Sequence, residues 1–293
     1  MARMEHRGDR RLMGPPAASM ANPTLWLFVI DLAAYVAVCL ALWHGLISPP
    51  CAALAALLCL YCFYTVSHEA VHGNAHPDRR VNLWLGRIAA AIEGLSFPLF
   101  RIIHLQHHAF TNDRERDPDF VIGRQPRWLL PLWTVVRLLH DNHFMLRRKL
   151  WDGRRRQLIE HVGTVALQLG IVTGLMIAGR VDVLLVVWLG PVAVAGVILE
   201  LTGAWAVHYP HVSTHPLENT RMLRGRLLQV LMLNQNYHLV HHLWPRIPWF
   251  RYGQAAAAAE QAVQAHRDRS DDGDQPAIHG RASATTPRTS NIP

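Results

Sequence analysis

The sequence has 293 residues, of which 51% are hydrophobic and only 17% are charged, and its formal net charge is +8. This composition is more apolar than that of an ordinary soluble domain. The apolar residues collect in a few long runs, so we expect an integral membrane protein. The basic residues fall mostly between those runs, as in the loops of membrane proteins, and nucleic acid is therefore not an expected partner.

The first two apolar runs predict an antiparallel pair of transmembrane helices. Residues 24–47 are an apolar run of about 24 residues, which is long enough to cross the hydrocarbon core of a bilayer. Pro49 and Pro50 make the turn. Residues 51–67 form the second run, and its helical continuation carries two histidines before Gly73 ends the helix.

The second half of the chain predicts two further spans. Residues 158–178 and 181–207 are apolar, and the short bend at Gly179 and Arg180 makes them an antiparallel hairpin. Residues 81–100 and 128–151 mix apolar residues with Arg, so we expect helices that lie at the membrane surface. Residues 227–236 are too few to cross a bilayer.

These elements together predict an all-α integral membrane protein with four transmembrane helices and a cytoplasmic helical cap. The turn at residues 48–50 contains no Lys or Arg, whereas the segments before residue 24 and after His72 are rich in Arg. The positive-inside rule therefore places the termini and the histidines on the cytoplasmic side. We divide the chain into an N-terminal arm (1–23), a membrane domain (24–252) and a C-terminal segment (253–293), whose polar tail from His266 onward is expected to be disordered.

Histidines recur with helical spacing at the ends of these elements. Residues three and four apart share one face of an α-helix, so His-x-x-His-His directs three imidazoles towards one point. Two such triplets, one His-x-x-x-His pair and a further group after the fourth span lie at the same predicted face of the membrane. Their members are His68 and His72; His104, His107 and His108; His208, His211 and His215; and His238, His241 and His242.

So many imidazoles predict a centre that holds two metal ions. Neutral imidazole binds iron, zinc, copper and nickel, and a tetrahedral zinc site needs only four ligands. Two redox-active ions in a membrane protein point to activation of dioxygen, for which iron is the usual metal. Metal-bound histidines also need acceptors for their second ring nitrogen. The candidates are Glu69, Asp117, Glu200 and Asn236, with Asp113 and Asp119 close in sequence.

The histidine motifs resemble those of a known family. His68-Glu69-Ala70-Val71-His72, His104-Leu105-Gln106-His107-His108 and His238-Leu239-Val240-His241-His242 are similar to the three histidine boxes of the membrane fatty acid desaturase and hydroxylase superfamily. The flanking sequences, which include Asp117-Pro118-Asp119 and Leu243-Trp244-Pro245, are most similar to those of the desaturase-like β-carotene hydroxylases.

This resemblance implies a site of two iron ions bound by the eight box histidines, with a ninth histidine from the region after the last span. His211, which follows Pro210, best matches that ninth ligand. The residues alone leave His208, His211 and His215 open as candidates.

The resemblance also implies the activity that we predict, which is O2-dependent hydroxylation of the β-ring of a carotenoid. Fatty-acyl desaturation is the alternative, because both reactions begin by removing hydrogen from an unactivated C–H bond. A histidine-rich metal transporter is an alternative of another class, although transporter sites usually lie near the middle of the membrane. The chain has no cysteine spacing for an iron–sulfur cluster and no flavin or nicotinamide motif, so a separate electron donor such as a ferredoxin or a cytochrome is expected.

Overall fold

Regular structure in the computed structural model, which describes residues 19–124 and 126–273, is helical. The helices of these residues are α1 (Pro23–Trp43), α2 (Pro49–His72), α3 (Arg79–Ile92), α4 (Phe97–Phe110), α5 (Phe120–Arg124), α6 (Leu130–Arg147), α7 (Arg155–Ile177), α8 (Val181–His208), α9 (Arg226–Leu231), α10 (His238–Leu243) and α11 (Tyr252–Gly273). Short 3₁₀ turns at Ser19–Ala21, Arg127–Leu129 and Trp249–Arg251 accompany them.

Four of the described helices are long and apolar enough to cross a membrane. They are α1, α2, α7 and α8, with 21, 24, 23 and 28 residues. Each coincides with a run predicted from the sequence, and α2 ends at Gly73, whose φ of 80° is the left-handed conformation that favours glycine. Large apolar side chains such as Leu167 and Ile177 on α7 are exposed, as expected of a surface that faces lipid. The four predicted spans are therefore confirmed.

Residues 81–100, predicted as one surface element, instead belong to two helices. The axes of α3 and α4 are bent by 101° relative to each other. Gly94 lies in the break with a φ of 76°, which residues with a Cβ rarely adopt. Pro98 follows in the first turn of α4, where its missing N–H leaves no helical hydrogen bond unmade. The prediction of a continuous element is wrong because these two residues end one helix and begin another.

Side chains from the last two spans satisfy the carbonyl groups at the end of α3. Gln168 Nε2 on α7 donates to the carbonyl oxygen of Ala91 at 3.1 Å, and Trp188 Nε1 on α8 donates to that of Ile92 at 2.7 Å. The last carbonyl groups of a helix have no partner within it. These contacts therefore hold α3, and with it the start of α4, against the spans.

Two π-helical segments, Leu184–Leu189 and Glu200–Trp205, interrupt α8. Pro191 lies just after the first of them and cannot donate to the carbonyl group four residues before it. That carbonyl group, on Val187, accepts the hydroxyl of Tyr35 from α1 at 2.9 Å. A backbone group freed inside the span is thus satisfied by a neighbouring helix, as a membrane interior requires.

The short helix α10 depends on contacts with α2. It has only six residues, and an isolated helix of that length is not stable in water. The side chain of Asn74, just after α2, donates to the carbonyl oxygen of Pro245 at 2.9 Å. The backbone N–H of Trp249 donates to Glu69 Oε2 at 3.2 Å. These bonds hold the segment after α10 against the end of α2.

The C-terminal segment is helical as far as Gly273, whereas the sequence predicted a disordered tail from His266 onward. Ala255 and Ala259 of α11 are buried in a cluster with Leu239 and Val240 of α10, so the helix is stabilised by packing. The predicted N-terminal arm up to residue 18 and the predicted tail from residue 274 lie outside the described residues.

The close packing of α2, α3 and α4 makes Gly86 sensitive to substitution. A Cβ at Gly86 would lie 2.4 Å from Phe97 Cε2 and 2.6 Å from Ala70 Cβ. We expect Gly86→Ala to lower the free energy of unfolding by about 1–3 kcal/mol, as overpacking does. Thermal unfolding of the protein in detergent measures this change.

Gly170→Ala in α7 is the matched control, because a Cβ there meets no heavy atom within 4 Å. Alanine favours a helix over glycine by about 1 kcal/mol, so the control is expected to unfold at the same temperature as the wild type or higher. Equal midpoints for the two variants would contradict the packing described for α3.

Candidate metal centre

Four histidines from three helices form the first group of imidazoles. His68 and His72 come from the end of α2, His104 from α4 and His241 from α10, and one ring nitrogen of each lies within 4.8 Å of the others. The Nε2 atoms of His72 and His104 are 2.9 Å apart. These side chains are mostly buried, and His68 is only 1% exposed. The group therefore has the composition and spacing of a metal site.

A second group of four lies beside the first. It contains His107 from α4, His208 from the end of α8, and His238 and His242 from α10. The Nε2 atom of His208 is 3.2 Å from that of His107 and 3.0 Å from that of His238. The Nε2 atoms of His238 and His242 are 3.1 Å apart. In this group, too, one ring nitrogen of each histidine lies within 4.8 Å of the others.

His108 lies between the two groups. Its Nε2 atom is 3.1 Å from His104 Nε2 and 2.8 Å from His241 Nε2, both in the first group. Its ring stacks on that of His242 in the second group, with centroids 4.2 Å apart. The described residues thus bring nine imidazoles into one continuous cluster.

Helical spacing explains how each triplet serves both groups. On α4, His104 and His108 are one turn apart and meet the first group, while His107 faces the second. The triplet on α10 is divided in the opposite sense. There His238 and His242 meet the second group, and His241 faces the first. Two helices with the same motif therefore each supply imidazoles to both groups.

The second ring nitrogens are held by acceptors around the cluster. Nδ1 of His107 donates to Asp117 Oδ1 at 2.9 Å, and Nδ1 of His208 donates to the carbonyl oxygen of Asn219 at 3.0 Å. Nδ1 of His241 lies 2.8 Å from the hydroxyl of Tyr252. Such bonds fix the orientation and the tautomer of each ring.

The pair His107 and His208 shows that the donor set fits a cation. The carboxylate of Asp117 and the carbonyl group of Asn219 can only accept, so each ring carries a proton on Nδ1, and each ring in its neutral form has a lone pair on Nε2. The two Nε2 atoms nevertheless face each other at 3.2 Å. Two acceptors this close repel each other, and a metal ion between them replaces the repulsion with two bonds.

The histidines of α10 are also in the protonation state that metal binding needs. Burial, reinforced by the neighbouring imidazoles, lowers the pKa of His238, His241 and His242 well below the ordinary value. Neutral imidazole is the form that binds metal ions. These residues therefore need not lose a proton to bind an ion near neutral pH.

The histidine after the last span that joins the cluster is His208, whereas the sequence favoured His211. His211 is buried but lies outside both groups, and its ring centroid is 6.1 Å from that of His208. It packs against α5, where a Cβ added to Gly123 would lie 2.4 Å from its Cγ atom. The remaining candidate, His215, is exposed. The local sequence could not separate the three because their positions depend on the turn at residues 209–211.

Of the four residues predicted to accept hydrogen bonds from the clustered histidines, two lie beside the cluster and two have other partners. Asp117 contacts His107, and Glu69 lies 3.4 Å from the Tyr252 hydroxyl that meets His241. Asn236 instead donates to the carbonyl oxygen of Leu223. Glu200 lies 3.6 Å from Arg137. The described hydrogen bonds and ion pairs of the last two residues therefore join other parts of the chain and not the histidines of the cluster.

Arg137 on α6 is a feature that the sequence did not reveal. It forms ion pairs with Asp119 and with Asp141, the latter at 2.8 Å, and approaches Glu200 of α8. Asp119 in turn lies 3.7 Å from Nδ1 of His107. Arg137 therefore ties the loop beside His107 to α8. Tyr252 and Asn219 were also missed, because neither stands at a helical spacing from the histidine it contacts.

Replacing Asp117 tests whether these outer contacts hold the cluster. We expect Asp117→Asn to lower metal affinity by about 10–100-fold, since an amide orients the His107 ring less firmly than a carboxylate does. The measurement is the metal retained by the purified protein after dialysis against a chelator. Asp113→Asn is the control, because Asp113 lies in the same loop and pairs with Arg116. Equal retention by both variants would contradict the assigned role.

The sequence of this chain matches a known protein family. The profile described as fatty acid desaturase matches residues 41–270, which include all nine histidines of the cluster. Dihydrorhizobitoxine desaturase of Bradyrhizobium elkanii is 28% identical over 217 residues, or 64% of this chain and 60% of the desaturase. This chain thus spans less than two thirds of that relative.

Two carotenoid ketolases are also similar to this chain. Beta-carotene ketolase of Paracoccus sp. (strain PC1) is 26% identical over 234 residues, which cover 78% of this chain and 82% of the ketolase. Zeaxanthin 4-ketolase of Chlamydomonas reinhardtii is 26% identical over 212 residues, which cover 69% of this chain and 43% of that protein. Because the family profile matches well over half of the sequence, this chain belongs to the fatty acid desaturase family.

Proposed function

We propose that this protein is an O2-dependent membrane oxygenase that uses two iron ions held by the nine clustered histidines. The observation that carries this proposal is the pair of four-imidazole groups with His108 between them. The first ion would be held by His68, His72, His104 and His241, the second by His107, His208, His238 and His242, with His108 beside both. Iron bound there would supply the one-electron chemistry that activates dioxygen and breaks an unactivated C–H bond.

The protein's own residues would keep this centre in a single arrangement during the reaction. Asp117 and the carbonyl group of Asn219 hold the protons of His107 and His208 on Nδ1, which leaves Nε2 of each ring available to the metal. Tyr252 does the same for His241 and contacts Glu69 behind it. Burial excludes bulk water from most of the rings, which limits side reactions of activated oxygen.

The substrate that we propose is the β-ring of a carotenoid. The similarity to two proteins named beta-carotene ketolase and to one named zeaxanthin 4-ketolase supports this choice. Hydroxylation inserts one oxygen atom of O2 into a C–H bond and releases the other as water, with two electrons and two protons from a donor. A second hydroxylation at the same carbon, followed by loss of water, gives a ketone. Hydroxyl and ketone products therefore belong to one reaction sequence.

Desaturation of an acyl chain is the second candidate, because one relative is named a desaturase. Removal of a second hydrogen from the neighbouring carbon gives a double bond, whereas transfer of oxygen gives an alcohol. Metal transport is disfavoured by the position of the cluster, which gathers the ends of α2 and α8, since transporter sites usually lie near the middle of the membrane.

We place the metal centre and both termini on the cytoplasmic side. The segment after His72 is rich in Arg and the turn at residues 48–50 has no basic residue, which supports this orientation by the positive-inside rule. Electrons would come from a separate ferredoxin or cytochrome. The basic residues of this side would attract an acidic donor.

Expression in cells that accumulate β-carotene tests the proposed activity. We expect a hydroxylated or ketolated carotenoid, identified by mass and absorbance after extraction, and its loss in His107→Ala. Unchanged carotenoid together with new unsaturated acyl chains would instead support the desaturase. Purified protein that contains no iron would contradict the proposed centre.

A matched pair of variants tests which histidine after α8 is a ligand. We expect His208→Asn to lower both the amount of product and the iron content of the protein. The decrease should exceed the roughly 10–100-fold loss that follows removal of an outer hydrogen-bonding partner. His211→Asn is expected to keep both, and Asn tolerates the φ of 60° at this position. Iron content measured alongside product distinguishes loss of the metal from a change in the substrate site. The opposite pattern would restore His211 as the ligand.

A further inference from the structure

Three side chains with metal-binding groups meet at the surface of the protein, apart from the histidine cluster. His215 and Glu218 belong to the loop after α8, and His266 belongs to α11. One nitrogen or oxygen atom of each lies within 4.8 Å of the other two. We propose that these residues form a separate site for a divalent transition-metal cation of the zinc type, which fastens α11 to the loop.

Two of the three side chains already lie at a distance that suits such an ion. His266 Nε2 lies 2.9 Å from Glu218 Oε1, and the rings of His215 and His266 stack with centroids 4.2 Å apart and planes at 9°. Two imidazoles and one carboxylate form an open zinc site, with bonds of about 2.0–2.2 Å and a remaining position for water. His266 and Glu218 are already as close as two ligands of one ion, so mainly His215 has to turn.

His215 can make that adjustment at low cost. It is exposed, and the bond that its Nδ1 accepts, from the backbone N–H of Leu217, is long at 3.3 Å. Rotation of the ring gives up this weak bond and the stacking on His266, and it gains a metal bond. Imidazole together with carboxylate suits zinc, nickel and copper, whereas magnesium and calcium prefer oxygen ligands alone.

The loop is already shaped to present these ligands. Ser213 Oγ donates to Glu218 Oε2 at 2.8 Å and accepts from the backbone N–H of His215 at 3.1 Å. The backbone N–H groups of Glu218 and Asn219 both lie 2.9 Å from the carbonyl oxygen of His215. His215 and Glu218 are therefore held on one compact turn, and only His266 comes from a distant part of the chain. Without a cation, the single exposed His266–Glu218 pair would contribute little to stability.

The same turn continues into the histidine cluster. Asn219 follows Glu218, and its carbonyl oxygen accepts Nδ1 of His208 at 3.0 Å and Nδ2 of Asn112 at 2.8 Å. A cation that holds the turn against α11 would therefore also steady the acceptor of His208. The proposed ion is structural, and it neither depends on the identity of the metal in the cluster nor takes part in the reaction.

Titration of the purified full-length protein, in detergent and with its resident metal bound, with Zn²⁺ alone tests the site. Zinc and iron per chain are measured by elemental analysis after gel filtration, and the unfolding temperature is measured on the same samples. We expect the wild type to take up one zinc ion per chain without loss of iron and to unfold at a higher temperature. No zinc uptake, or uptake only in exchange for iron, would overturn the proposal.

Variants locate the ion. His266→Ala and Glu218→Gln are expected to lose this zinc ion and the rise in unfolding temperature while keeping the resident metal. His44→Ala, which removes an exposed histidine next to α1, is expected to keep both. Zinc uptake by His266→Ala equal to that of His44→Ala would overturn the proposal. Protein that is purified without iron would count against the di-iron oxygenase, but the comparison of the zinc-binding variants would remain valid.

Discussion

The close approach of nine imidazoles is the interaction on which the rest of the structure depends. Burial removes their hydration, and the acceptors around them leave lone pairs that face one another, as His107 and His208 do. Without a cation, this arrangement costs free energy. A metal ion bound among these rings would offset that free-energy cost, which would couple metal binding to the stability of the protein.

The helix that carries the third histidine box depends on the helix that carries the first. The helix α10 is too short to be stable alone, and it reaches the cluster because Asn74 and Glu69 hold the segment after it against α2. Glu69 also contacts Tyr252, which meets His241. The carboxylate beside the first histidine box therefore positions the third. This explains how a site assembled from distant segments keeps one geometry.

The histidines indicate the type of reaction more firmly than they indicate the substrate. Relatives that match this chain over most of its length are named both ketolase and desaturase, although the reactions share an initial C–H cleavage. In the proposed reaction, the product would depend on which carbon lies beside the centre and on whether oxygen or a second hydrogen is transferred next.

The sequence by itself determined the four spans, the three histidine boxes and the family, because hydropathy and helical spacing are properties of contiguous residues. It also identified Asp117 and Glu69, which stand close to a box in sequence. Only the tertiary structure decided that His208 joins the cluster in place of His211, that α3 and α4 are separate helices, and that Arg137 ties the loop beside His107 to α8. These features depend on how a turn directs the chain and on contacts between residues far apart in sequence, which no local pattern encodes.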